Sequence, residues 1–137
     1  MATKDTIIAR DRTYTDIDFG FRANPMTGDI ALKKEQQAVK QSVLNILLTN
    51  RGERPFDPLF GCDIRKQLFE NFDLITEQLL KDQIRTSLRN YEPRVKILDI
   101  NVSGKPDQNK VDISLKVEIQ SPDVSAFSID FSVERLR

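Results

Sequence analysis

The sequence predicts an α+β fold of two layers, with N-terminal helices packed on a C-terminal three-stranded antiparallel β-meander. Between residues 31 and 90 apolar side chains recur at helical spacing, interrupted by one loop rich in proline and glycine. Beyond Pro93 the spacing falls to two and holds through three runs parted by turn-forming residues. Size supplies a further bound: 137 residues suffice for one core and not for two ordinary domains. Residues 1–30 are therefore read as an extended arm and residues 31–137 as a single α+β domain.

Within the arm, Gly20, Pro25 and Gly28 forbid a long helix, while Ile17, Phe19 and Phe21 alternate as an extended segment does. Those side chains serve either to coat the protein's own core or to dock a partner. A helix is expected from Ala31 to Asn50, with Val39, Val43, Ile46 and Leu47 on its buried stripe and Gly52 just past its end. The next stretch, RGERPFDPLFGCD, holds two prolines and two glycines and so no regular structure. Phe56, Leu59 and Phe60 make it too apolar for an ordinary solvated loop. It either folds back as a plug, burying Phe56 and Phe60, or inserts into a partner. Asp63 stands where it could cap a short helix running through Phe69, which turns Ile64, Leu68 and Phe69 inward. After a break at Glu70–Asn71, a longer helix from Asp73 to Asn90 carries Leu80, Ile84 and Leu88 at every fourth position.

The first strand starts at Val95. Val95 and Ile97 share one parity and Leu98, Ile100 and Val102 the other, which requires a β-bulge near Ile97–Leu98 or burial of both faces. Gly104 to Lys110 has the composition of a hairpin loop. Val111, Ile113, Leu115, Val117 and Ile119 then alternate with polar residues, as in a strand with one wet face. A turn at Ser121–Pro122–Asp123 leads into the last strand, where Phe127, Ile129, Phe131 and Val133 repeat the pattern.

Composition excludes several functions. Twenty-one Lys+Arg balance twenty-one Asp+Glu, so there is no basic excess to follow phosphates and no nucleic-acid partner is expected. No apolar run approaches the roughly 20 residues of a membrane span, so no membrane partner is expected either. The N-terminus has no secretory pattern, which points to synthesis and folding in the cytoplasm. The absence of histidine removes the commonest general base and a common metal ligand. Cys62, the one cysteine, reads as a small packed residue. No catalytic residue, cofactor or metal site is expected.

The segment NYEPRV, residues 90–95, sits where the long helix ends and the first strand begins. Pro93 pushes Glu92 out of the helical region, and Glu92 and Arg94, two positions apart, project side by side as a polar claw. One reading is a local salt bridge, worth about 0–1 kcal/mol for an exposed pair. The other is bidentate recognition of a partner by Arg94, with Glu92 orienting the guanidinium.

LLTNRGERPFDPLFG, then LFEN, then RNYEPRV, resembles the baseplate wedge family of contractile-tail phages. That family includes the sheath-initiator subunits and the TssE-like proteins of type VI secretion. The similarity runs in ordered motifs from about Leu44 to Val95. It implies that Glu92, Pro93 and Arg94 attach to the wedge core, that other wedge proteins and the tail sheath protein are partners, and that tube or hub proteins are further candidates. The place implied is the virion tail baseplate, assembled in the host cytoplasm. A subunit of this kind would offer a sheet edge to the sheath, here the final strand of Phe127, Ser128, Ile129, Asp130, Phe131, Ser132 and Val133, unless the arm covers that edge. The competing function is a lysozyme-like peptidoglycan hydrolase using two of Glu53, Asp57, Asp63 and Glu70, although no tryptophan is available as a sugar platform.

Overall fold

The computed structural model describes residues 14–67, 73–105, 110–120 and 125–134. Its elements in chain order are β1 (Thr15–Ile17), β2 (Leu32–Lys34), α1 (Glu35–Leu48), α2 (Ile64–Gln67), α3 (Leu74–Tyr91), β3 (Val95–Lys105), β4 (Lys110–Ile119) and β5 (Phe127–Glu134). Strands β3, β4 and β5 form an antiparallel sheet in that order, and β1 pairs with β2 as a separate ribbon. One core fills the space between helices and sheet. Val39, Val43, Ile46 and Leu47 enter it from α1, Leu80, Ile84 and Leu88 from α3, and Val102, Ile113, Leu115, Val117 and Ile129 from the strands. Each such side chain stabilises the fold by about 1.5–3 kcal/mol when fully buried. The expected two-layer α+β architecture is present.

The parity change in β3 is a bulge. Ile97 faces Val117 and Asp99 faces Lys116, so Leu98 is the extra residue. Inserting it exchanges the two faces, which is why Val95 is buried before the bulge and Ile100 and Val102 after it. Leu98 itself is exposed.

Helix α1 starts four residues later than its periodicity suggests. Leu32, Lys33 and Lys34 pair with Ile17, Asp16 and Thr15. Their backbone groups are thereby committed to a ladder before the helix begins. Glu35 turns the corner with φ of 46° and donates its N–H to the Tyr14 carbonyl at 2.6 Å. Gln41 on α1 ties the ribbon down by donating from Nε2 to the Ile17 carbonyl at 2.8 Å. The boundary expected after residue 30 falls inside this ribbon. Ile17, Phe19 and Phe21 remain largely exposed on it.

Asp73 caps α3: its carboxylate accepts from the Thr76 N–H at 2.8 Å, which holds the carboxyl below its ordinary range. Asp63 does not use its side chain this way, because its carboxylate meets Lys66 Nζ at 3.0 Å and accepts from the Arg51 N–H. Leu68, Phe69, the break at Glu70–Asn71, the centre of the 104–110 loop and the turn at Ser121–Asp123 lie outside the described residues.

The loop between α1 and α2 buries one phenylalanine and exposes the other. Phe60 is in the core, edge-on to Tyr91 with ring centroids 5.0 Å apart, and the Arg54 guanidinium lies 3.6 Å from its ring centroid. Phe56, which the plug reading buries as well, is fully exposed. The Asp57 N–H donates to the Arg54 carbonyl, a turn that lifts Phe56 to the tip of the loop. The chain then crosses the end of α1 at Gly61, where φ is 109°; a Cβ there would lie 2.3 Å from the Thr49 carbonyl oxygen.

Gly61→Ala is therefore expected to cost on the order of 3 kcal/mol, by combining backbone strain with a clash against main chain. Gly52→Ala, at φ of 87° with nothing within 4 Å of the added Cβ, should cost only about 1–2 kcal/mol. Urea unfolding of the two variants checks the order; equal losses would mean that the close approach to Thr49 is unimportant.

Candidate functional site

Helix α3 closes at the NYEPRV corner through its own backbone. Glu92 is the C-cap, with φ −133° and ψ 69°, and its N–H donates to the Leu88 carbonyl at 2.8 Å. Pro93 excludes a helical conformation at Glu92. The Val95 N–H then donates to the Glu92 carbonyl at 3.1 Å, and the Gln120 N–H to that of Arg94 at 3.0 Å, so the corner is fixed to the end of β4.

The side chains do not form a surface claw. Glu92 points into the protein and is only 2% exposed, because a C-cap backbone, rather than a strand, sets its direction. Its Oε2 accepts from Arg94 Nη2 at 2.6 Å and from the Ser42 hydroxyl of α1, and its Oε1 accepts from Arg94 Nε. The Glu92 hydrogen bond raises the Arg94 pKa further, against the opposing effect of burial. The guanidinium carbon lies 5.0 Å from the Tyr14 ring centroid. Ser42 and Tyr14 were not legible in the motif. Ser42, a hydroxyl beside the buried stripe of α1, was the available signal. With the Glu92 carboxylate enclosed, the corner's accessible surface is Pro93, which is exposed, and part of Arg94, whose side chain is 34% exposed.

A second surface is the outer edge of β5. Ile129 and Val133 are buried, Phe127 and Phe131 half-buried, and Ser128, Asp130 and Ser132 exposed. Among the described residues β5 pairs with β4 alone, and the described part of the arm pairs with itself. Helix α2 approaches β5 from the helical layer. Since β4 separates β3 from β5, the corner and this edge stand at opposite sides of the sheet.

Two of the loop carboxylates, Glu53 and Asp63, are tied to neighbouring groups. Glu53 accepts from the Asn50 N–H at 3.0 Å and from Asn50 Nδ2 at 2.7 Å, bonds that lower its pKa, whereas a general acid needs a raised one. Asp63 is paired with Lys66, and Glu70 lies outside the described residues. Burial pushes the Cys62 thiol up, away from the thiolate that nucleophilic attack requires. Among the described residues no group of three His, Cys, Asp or Glu side chains could hold a metal, and no helix is long and apolar enough to cross a membrane.

This fold recurs in the baseplates of contractile injection machines. The chain matches a component of the anti-feeding prophage baseplate with a TM-score of 0.62 at 21% identity, covering 87% of this chain and 85% of that one. It also matches a chain of the type VI secretion baseplate complex with a TM-score of 0.63 at 20% identity, covering 73% and 93%. A Geobacter sulfurreducens structure described as a putative tail lysozyme matches with a TM-score of 0.69 at 24% identity, covering 78% and 96%, a likeness of fold. In sequence, baseplate wedge protein gp25 of Enterobacteria phage T4 is 38% identical over 110 residues, 80% of each chain. The profile of the baseplate wedge protein gp25 family matches residues 33–123, and the chain belongs to that family.

Removing Arg94 leaves a buried carboxylate with one hydroxyl donor. Arg94→Ala is expected to destabilise the isolated chain by about 2–3 kcal/mol, below the full range for a broken buried pair because Arg94 is partly solvated. Glu92→Gln placed on Arg94→Ala should recover part of that loss, as a double-mutant cycle in urea would reveal. An Arg94→Ala chain as stable as the parent would show that the pair contributes nothing.

Proposed function

We propose that the chain is a structural wedge subunit of a contractile-tail baseplate, assembled in the host cytoplasm and retained in the virion tail. In this reading it attaches to the wedge core through Pro93 and Arg94, with Glu92 as the positioning residue behind them. It initiates or anchors the sheath along β5, while contact with tube or hub proteins is secondary. The observation that carries the reading is an edge strand with one buried face, one wet face and no partner on its outer side among the described residues. Such an edge accepts a further strand through backbone bonds, which tolerate sequence differences between this subunit and the sheath protein. The named T4 relative supports the wedge role and does not itself specify sheath contact.

Cysteines at Ser128 and Ser132, each combined with cysteines scanned along the terminal segments of the sheath protein, test the edge. Strand addition puts facing Cα atoms about 4.5–5.5 Å apart, within the Cα range of a disulfide, so cross-links should appear in one register and recur every second residue. Fully sheathed particles without cross-links at β5, but with them from a cysteine at Ser103 on β3, would transfer the role to the other edge.

The same reading excludes cell-wall hydrolysis as the function. The purified chain is expected to leave the turbidity of a cell-wall suspension unchanged from acidic to neutral pH. Clearing that vanishes in Glu53→Gln or Asp57→Asn would instead establish the hydrolase.

A further inference from the structure

Beside the corner, the last turns of α3 and the first residues of β3 flank an open hollow of about 350 Å³. Pro93, Val95 and Ile97 provide apolar lining, Arg85, Arg89 and Lys96 supply the charge, and no carboxylate lines it. Arg85 meets Asp82 at 3.2 Å and Lys96 meets Glu118 at 3.8 Å, so three cations stand against two neighbouring carboxylates. Arg89 has no ion-pair partner among the described residues. Its place in the last turn of α3 offsets the carbonyl end of that helix, which accounts for one cation and not for three around a hollow.

We infer that this groove receives an acidic segment of a wedge-core protein, seated by one apolar side chain on Pro93 and Ile97 with carboxylates on Arg89 and Lys96. The inference rests on the wedge reading above and supplies the chemistry of the partner. Charge complementarity selects an acidic occupant, and the apolar lining selects a peptide over a polyphosphate backbone. The overall balance of twenty-one cations and twenty-one anions removes the long-range attraction that a nucleic acid would exploit. The groove begins at Pro93, next to Arg94, so a segment held at the corner can continue into it without a second docking event.

The test uses assembled baseplates containing the full chain with a photo-cross-linking residue in place of Gln120, which lines the hollow, and a control with that residue in place of Arg65, exposed on α2. Capture of a wedge-core peptide of net negative charge from position 120 and not from position 65 supports the inference. Arg89→Glu and Lys96→Glu should each lower incorporation about tenfold at moderate salt, and a Glu→Lys change in the captured segment should restore it. Normal incorporation with a neutral or basic cross-linked segment, with cross-linking to nucleic acid, or with no cross-link, overturns the groove assignment alone. Failure of the unsubstituted chain to co-purify with baseplates overturns the wedge reading and this inference with it.

Discussion

A carboxylate buried where a helix meets a strand is the constraint around which the remaining geometry is arranged. Glu92 ends α3, accepts from Ser42 on α1, and takes both Nε and Nη2 of Arg94 just ahead of β3. Without those donors the charge would have to be hydrated, which would open the contact between the helical layer and the sheet, or neutralised by taking up a proton. The main chain reinforces the joint, since the Arg94 carbonyl accepts from Gln120 at the end of β4. Tyr14, under the guanidinium, adds the base of the β1–β2 ribbon. Four separate parts of the chain therefore share one charge.

The bulge at Leu98 allows this joint to coexist with a continuous sheet. Val95 must face the core beside the corner, yet Ile100 and Val102 must face it farther along, and their parities differ. One extra residue reconciles the two demands while β4 and β5 keep strict alternation. The irregularity is confined to the strand attached to the helices. The strand at the far side, β5, keeps a regular edge suited to main-chain pairing.

Periodicity made most of this architecture legible before any coordinates. Leu80, Ile84 and Leu88, and the alternation from Val111 to Ile119, encode burial directly, so their elements and core positions could be read from spacing. The β1–β2 ribbon was hidden because Leu32–Lys34 flow into helical spacing, and only the pairing of Asp16 with Lys33 and its neighbours makes them a strand. The corner motif revealed its location but not its direction. Two positions of strand-like spacing place Glu92 and Arg94 on one face, whereas the C-cap dihedrals turn Glu92 inward. Phe56 and Phe60 were indistinguishable by composition; only the turn at Arg54–Asp57 separates them.

The burial of Glu92 also bears on the attachment proposed for Arg94, which is half-buried. A free arginine on a surface loses about 2 kcal/mol of side-chain rotamer entropy when a partner immobilises it. In this chain the Nε and Nη2 edge is already fixed by Glu92, and one face by Tyr14, so that ordering occurs on folding rather than on docking. The exposed remainder presents a charge whose position is set to the rigidity of the core. The cost is reduced freedom, because the edge committed to Glu92 cannot form a second fork with a partner carboxylate. The partner proposed for this corner would consequently be restricted to the opposite guanidinium edge, to Pro93, and to the adjoining groove. Glu92 thus stabilises the fold by the same bonds that fix the Arg94 guanidinium, so neither residue can be replaced without altering the surroundings of the other.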